Sequence, residues 1–193
     1  MKRRRFHFLV SALVLVLAAF VLEGCGNSDR NFNGHGVSFR YPHNWAPAES
    51  AGVNVKTSNG LWTEMFSPTA AAKDAGGTTA DIVLLTKFRA PAVTKEILTA
   101  SVDNISAGVA QLAQKAGGRL LAGPTKVTMG GLPGYEYRFS AKTVRGRDSA
   151  SRLVLVWKGN AEYSLNCQHL VGGTRAAEIE RGCKMIVGSF KLG

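Results

Sequence analysis

The segment RLVLVWKG contains a run of apolar residues, Leu153 to Trp157, in which both the odd and the even positions are apolar. Successive side chains of a β-strand point to opposite faces of the sheet, so this run leaves neither face suited to water. The sheet that contains this strand must therefore be covered on both sides. We predict packed layers above and below a central sheet.

Short strands dominate the rest of the pattern. Val37, Phe39 and Tyr41 alternate with polar residues, and Pro42 then stops the run, which is typical of a half-buried strand. Residues 67–80 are rich in Ala, Gly and Thr and are predicted as a loop. The predicted strands span 37–41, 53–57, 61–66, 81–89, 119–129, 135–144, 152–159 and 161–168.

Turn signals separate several of these strands. Ser-Asn-Gly at 58–60 is a strong hairpin signal, and GGLPG at 130–134 and RGRDSA at 145–150 connect the later strands. Gly159-Asn160 predicts a further turn between RLVLVWKG and AEYSLNCQ. The second half of the chain is therefore predicted to contain an antiparallel meander.

Two stretches have helical periodicity. Residues 94–117 form the clearer one, with Thr94 as a candidate N-cap and Gly117-Gly118 as its end. Residues 174–187 form the second, and SFKL after it is predicted as an edge strand. The predicted apolar stripe of the first helix comprises Ile97, Leu98, Val102, Ile105, Val109, Leu112 and Ala116, and that of the second Ala176, Ile179, Cys183 and Ile186. We predict an α+β fold with an antiparallel sheet flanked by helices.

The first 24 residues have the pattern of an export signal. Lys2 to Arg5 are basic, and an apolar run about 17 residues long follows, against the ~20 usual for a membrane span. The alternative is an uncleaved membrane anchor. Leu22, Gly24 and Cys25 of L-E-G-C resemble a bacterial lipobox, in which the cysteine sulfur receives a lipid, whereas Glu23 departs from that pattern. We predict a signal peptide at 1–24, lipid attachment at Cys25 and an extracytoplasmic domain.

A polar segment follows the candidate lipidation site. Residues 25–35 are rich in Gly and Asn and are predicted as a tether, which as a flexible coil would span roughly 18 Å. A single globular domain at 36–193 is predicted after it. The domain is therefore expected to lie close to the membrane.

The number of cysteines also favours lipid attachment at Cys25. The chain has three, Cys25, Cys167 and Cys183, and an odd number in an exported protein requires an explanation. If Cys25 carries lipid, Cys167 and Cys183 are left to form a disulfide, worth on the order of 3 kcal/mol in the chain-entropy model. Metal binding and redox catalysis are the alternatives, but the sequence has no CxxC motif.

Charge restricts the kinds of partner. The chain carries a formal +11, of which residues 1–24 hold four basic residues and Glu23, so the remainder carries +8. The basic residues are scattered, which suits an anionic membrane surface or cell-wall polymer, or simple solvation of the surface. We predict no nucleic-acid binding, because no basic stripe is interleaved with aromatic residues.

No catalytic constellation is found. The sequence lacks HExxH and G-x-S-x-G motifs, and MGGLPG lacks the GK[ST] of a phosphate loop. Glu136 and Glu162 are the only carboxylates that we consider as a hydrolytic pair. We predict no catalytic residue, no metal and no cofactor, and choose Trp62, next to the predicted hairpin turn, as a candidate contact with a partner.

Several segments resemble the PsbP/Mog superfamily. GVSFRYPHNW, GGLPGYEYRFSA, SRLVLVWKGNAEYSLNCQ and the terminal IVGSFKL resemble that family's pattern, and the likeness is to its small bacterial lipoproteins. The resemblance implies an α/β/α sandwich without catalytic residues and a binding or assembly role. We expect a monomeric, lipid-anchored module that binds an envelope protein or an anionic envelope component. The alternative is a carrier with a ligand pocket between the helix at 94–117 and the sheet.

Overall fold

The structure is a computed structural model of the 193-residue chain that describes residues 28–47, 61–69, 80–143 and 145–193. The predicted signal peptide, Cys25 and the predicted strand at 53–57 with its turn lie outside the described residues. The strands are β1 (Arg30–Gly34), β2 (Val37–Tyr41), β3 (Trp45–Pro47), β4 (Trp62–Pro68), β5 (Ile82–Val93), β6 (Leu120–Met129), β7 (Leu132–Lys142), β8 (Asp148–Leu170) and β9 (Lys191–Leu192). The helices are α1 (Lys95–Ala100), α2 (Val102–Lys115) and α3 (Ala176–Ser189).

The described strands form two antiparallel sheets. Six strands make the larger sheet in the order β3-β4-β5-β8-β7-β6, and the smaller sheet has the order β1-β2-β9. The predicted meander is present as β6, β7 and the first half of β8. The short β9 confirms the terminal edge strand, which pairs with β2.

The long strand β8 connects the two halves of the larger sheet. Its first half pairs with β7, from Asp148 to Val156, and its second half pairs with β5. The turn predicted at Gly159-Asn160 is wrong, because β8 continues through both residues. Gly159 pairs with Val93 of β5, and a register shift in β5 lies between Arg89 and Val93.

Both faces of β8 are buried, as the apolar run predicts. Val154 and Val156 belong to a core that lies between the larger sheet, the smaller sheet and α3, which we call the α3-side core. Leu153 and Leu155 belong to a second core under α1 and α2, the α2-side core. The molecule is therefore an α+β sandwich, in which the small sheet shares one outer layer with α3.

The predicted helix at 94–117 consists of two helices. Thr94 caps α1 as predicted, since its Oγ1 accepts a hydrogen bond from the Ile97 amide, but α1 ends at Ser101 before α2 begins. Gly117 has φ +72°, a left-handed conformation that suits glycine at a helix end. Ile97 and Leu112 are 47% and 51% exposed, so the assignment of both to the buried stripe is wrong. Ala113, the next residue of α2 after Leu112, is fully buried instead.

The predicted tether is wrong from Arg30 onward. Residues Arg30–Gly34 form β1, which pairs with β2 through a tight turn at His35 and Gly36. Both turn residues have positive φ, which matches the twist of a two-residue hairpin. The Phe32 ring stacks on Phe39 at 4.8 Å between centroids, so an apolar contact holds the hairpin closed.

Helix α3 approaches the sheet closely at one glycine. A Cβ at Gly182 would overlap the ring of Trp45, which is fully buried, whereas a Cβ at Gly188 in the same helix meets nothing within 4 Å. The missing side chain at Gly182 is what lets the ring of Trp45 pack directly against the helix.

We predict opposite effects for alanine at these two glycines. Gly182→Ala should lower the free energy of unfolding by about 1–3 kcal/mol, because the Trp45 ring must move. Gly188→Ala is the matched control and should leave stability unchanged or raise it by up to about 1 kcal/mol through helix propensity. Urea denaturation measures both, and equal effects at the two positions would contradict the packing described here.

Candidate functional site

The two cysteines of the described domain are joined. The Sγ atoms of Cys167 in β8 and Cys183 in α3 are 2.11 Å apart, and both residues are buried in the α3-side core. This is the pair that the cysteine count predicts. The bond ties α3 to the half of β8 that pairs with β5, and it leaves no free thiol among the described residues.

Four charged residues form an ion network next to α3. The Nη2 atom of Arg152 donates to Glu136 Oε2 at 2.7 Å, and its Nη1 lies 3.8 Å from Glu180 Oε2. Arg138 contacts the same two carboxylates, with Nη1 at 3.2 Å from Glu180 Oε1. Because Arg152 is only 8% exposed, its charge depends on these partners. The network joins β7, β8 and α3 and plays a structural part.

Glu162 is the most unusual carboxyl group of the described residues. It lies in the second half of β8 and accepts a hydrogen bond from Trp157 Nε1 at 3.1 Å. Burial raises its pKa above the ordinary value, and the hydrogen bond from Trp157 acts in the opposite direction. A partly buried carboxyl with a raised pKa is a common feature of functional sites. Whether Glu162 belongs to such a site depends on the groups around it.

Glu136 is not part of those surroundings. Glu136 pairs in register with Val154 of the α3-side core, whereas Glu162 contacts Trp157 of the α2-side core. The two carboxylates therefore point to opposite faces of the sheet and do not form a hydrolytic pair. Among the described residues there is also no group of three metal-binding side chains.

Trp62 does not lie on the surface. It is 5% exposed in the α3-side core, and the imidazole of His35 stacks on it at 5.0 Å between centroids. His35 Nε2 also lies 2.8 Å from Glu64 Oε1. The choice of Trp62 as a direct contact is therefore not supported in this structure, because a partner at this edge would meet His35 and Glu64 first.

A concave surface lies on the outer side of the small sheet. It is a groove of about 370 Å³ between the β1–β2 hairpin and the end of α3. Polar and basic residues dominate its lining, and Phe32, Phe39 and Gly188 complete it. The polar members are Asn31, Asn33, Ser38, Arg40, Ser189 and Lys191.

The sequence does not predict this groove, because three of its nine lining residues, Asn31, Phe32 and Asn33, fall in the predicted tether. The signal that could have revealed it is the pattern NFNGHGVSF, in which Phe32 and Phe39 lie on opposite sides of the His-Gly turn. Such mirrored spacing predicts a hairpin with one apolar face. The other face then brings Asn31 and Asn33 next to Ser38 and Arg40.

The interface between the helices and the sheet is filled with side chains. Leu98, Val109 and Ala113 of the two helices are buried against the aromatic and aliphatic residues of the meander. The sheet side of this interface comprises Tyr135, Tyr137, Phe139, Ala141, Leu153, Leu155 and Trp157. Close packing here does not favour the alternative of a ligand carrier, which requires an open pocket at this place.

Within the described ranges, no helix is both long and apolar enough to cross a membrane.

His169 contacts a neighbouring residue of its own strand. Its Nδ1 lies 3.1 Å from the carbonyl oxygen of Leu170.

Comparison with known proteins identifies the fold. No family model and no curated protein sequence matches the chain. The structure is similar to cyanobacterial PsbP (CyanoP) from Synechocystis sp. PCC 6803, with a TM-score of 0.53 and 14% sequence identity. The match covers 89% of this chain and 99% of the cyanobacterial one. The chain therefore has a PsbP-like fold, which confirms the resemblance seen in the sequence, and an identity this low shows the fold alone.

Two further structures are similar more weakly. LpqN of Mycobacterium tuberculosis, described as involved in cell envelope biogenesis, matches with a TM-score of 0.48 and 14% identity over 88% of this chain and 87% of its own. A protein of Bacteroides thetaiotaomicron VPI-5482 matches with a TM-score of 0.48 and 11% identity over 88% of this chain. The chain spans 49% of the length of the Bacteroides protein. Both likenesses are too weak to carry an argument about function.

We predict that Glu162→Gln stabilises the protein at neutral pH. The raised pKa means that the folded state disfavours the charged carboxylate, so this group's stabilising contribution is present below its unfolded pKa and is lost as pH rises through the folded pKa. The amide keeps an acceptor for Trp157 without a charge. The variant should be more stable than the wild type at pH 7, and the difference should shrink as pH falls toward 4.5.

The matched control is Glu96→Gln. Hydrogen bonds from its own backbone amide and from Thr94 lower the pKa of Glu96, so the loss of its charge should not stabilise the protein at pH 7. Denaturation curves between pH 4 and pH 8 measure both variants. A Glu162→Gln protein that is less stable than the wild type at pH 7 would show that the Trp157 hydrogen bond outweighs burial.

Proposed function

We propose that this PsbP-fold chain is a lipid-anchored, extracytoplasmic protein whose domain acts as a non-catalytic binding or assembly module of the cell envelope. Residues 1–24 serve as the export signal, and the thiol of Cys25 carries the lipid. The domain that begins near Arg30 then lies next to the membrane, where it binds an envelope protein or an anionic envelope component.

The observation that carries this proposal is the disulfide. Cys167 and Cys183 are bonded and buried, and structural disulfides are typical of proteins outside the reducing cytoplasm. Their pairing leaves Cys25 as the one cysteine of the sequence without a partner. The position of that cysteine, directly after an apolar run and within L-E-G-C, supports lipid attachment at its sulfur.

The non-catalytic role is supported by how the polar side chains are used. Glu136 and Glu180 are paired with Arg138 and Arg152 in the network next to α3. Glu162 accepts a hydrogen bond from Trp157 on the face of the sheet opposite to Glu136. General acid–base chemistry needs groups that converge on one substrate position, and these groups point in different directions.

The binding role is supported by the edge that the β1–β2 hairpin forms. His35 and Glu64 lie exposed or half-exposed at one side of this edge, with side-chain exposures of 44% and 25%. The polar groove lies on the outer face of the same hairpin. A partner that binds here would contact His35 and Glu64 near the turn or the polar side chains of the groove.

A substitution of Cys25 tests the anchor. Cys25→Ala should abolish the incorporation of labelled palmitate and either release the protein from the membrane fraction or leave an unprocessed precursor, since no other sulfur of the chain is available for lipid. Ser28→Ala is the control and should be labelled like the wild type. Full labelling of Cys25→Ala would refute lipid attachment at this residue.

A further inference from the structure

The groove beside the β1–β2 hairpin is lined by two cationic side chains, Arg40 and Lys191. Arg40 pairs in register with Asn31, and Ser38 pairs with Asn33 on one side and with Lys191 on the other. Residues that pair directly across antiparallel strands share a face of the sheet. All five side chains therefore belong to the outer face, opposite the α3-side core.

These five side chains offer donors suited to an oxyanion. Arg40 and Lys191 supply charged N–H groups, and the two asparagine amides and the Ser38 hydroxyl supply neutral donors. Guanidinium and ammonium groups hold phosphate oxygens through short, charge-assisted hydrogen bonds. Gly188 has no side chain to fill the space between the hairpin and α3.

Two features of the groove oppose an anion, and both are weak. Asp29 Oδ2 lies 3.8 Å from Arg40 Nη1, but the Arg40 side chain is 61% exposed, and exposed pairs at such distances contribute little. The carboxyl end of α3 adds a partial negative charge. The hydroxyl of Ser189 donates to the Met185 carbonyl there, which satisfies one of the terminal acceptors.

The position of the groove indicates where its ligand comes from. Asp29, which contacts Arg40, follows Cys25 by four residues. Four extended residues span at most about 14 Å, so a lipid on Cys25 would hold the groove within reach of the membrane surface. Anionic headgroups at that surface attract Lys and Arg residues within a Debye length of about 8–10 Å.

We infer that the groove binds the phosphate of an anionic phospholipid headgroup and thereby fixes the orientation of the anchored domain on the membrane. This inference rests on the proposed lipid anchor for the position of the groove, but the binding chemistry belongs to the groove itself. Arg40 and Lys191 contact the phosphate, and Asn31, Asn33 and Ser38 bind its remaining oxygens or the adjacent headgroup.

Vesicle flotation of the mature chain, residues 25–193 with Cys25→Ser, tests the groove without a covalent lipid. We expect binding to vesicles in which a third of the phosphatidylcholine is replaced by phosphatidylglycerol, and little binding to phosphatidylcholine alone. Arg40→Gln combined with Lys191→Gln should lower the partition coefficient about 25-fold, since each cation near an anionic surface contributes about fivefold.

The control removes the same charge elsewhere. Lys115→Gln combined with Lys126→Gln changes exposed residues of α2 and β6, away from the small sheet, and should lower the partition coefficient less than about twofold because of salt screening. An equal loss in both double variants would overturn the inference in favour of unspecific attraction by net charge. Equal binding to both kinds of vesicle would overturn it as well.

A third arm separates the membrane from free phosphate. Inorganic phosphate at millimolar concentration and constant ionic strength should leave vesicle binding within about twofold, because a surface presents many headgroups at once. Complete release by phosphate would overturn the assignment to a membrane. Since the assay uses an unlipidated chain, its failure would leave the palmitate result at Cys25 intact, and a failed palmitate result would not alter the vesicle measurement.

Discussion

The burial of β8 on both faces is the constraint on which the rest of the structure depends. Val154 and Val156 need a cover on one side of the sheet, and Leu153 and Leu155 need one on the other. Helices α1 and α2 supply the second cover. Helix α3 and the small sheet share the first, which is why a hairpin formed by the first described residues packs against the last helix. The groove exists because those two elements meet without filling the space between them.

The disulfide links this architecture to the proposed location of the protein. It joins β8 to α3, so it fastens the outer layer that carries the hairpin to the central strand. The same bond accounts for two of the three cysteines, so that Cys25 is the one that the proposed lipid anchor uses. One pairing thus supports both the stability of the outer layer and the lipid anchor that would hold that layer against the envelope.

Much of the fold could be predicted from the sequence because it depends on local patterns. The apolar run from Leu153 to Trp157 predicts a cover on each face of the sheet. Thr94 and Gly117 mark helix ends, and the odd number of cysteines predicts the disulfide. The errors occur where tertiary contacts override local signals. Gly159-Asn160 has the composition of a turn, but pairing with β5 keeps β8 extended. Residues 30–34 have the composition of a tether, but the Phe32–Phe39 contact folds them into a strand. Part of the groove lies in that second segment. Trp62 is next to a predicted turn, a position that favours exposure, but it is buried and the ring of His35 from the β1–β2 hairpin stacks on it.

The state of the three cysteines in the protein isolated from membranes tests the account most directly. Mass spectrometry of the unreduced, alkylated mature chain should show a lipid-modified Cys25 at the amino terminus, a peptide pair joined through Cys167 and Cys183, and no alkylated thiol. A free thiol at Cys167 or Cys183 together with an unmodified Cys25 would contradict the account, because the pairing that assigns Cys25 to the membrane would then be absent.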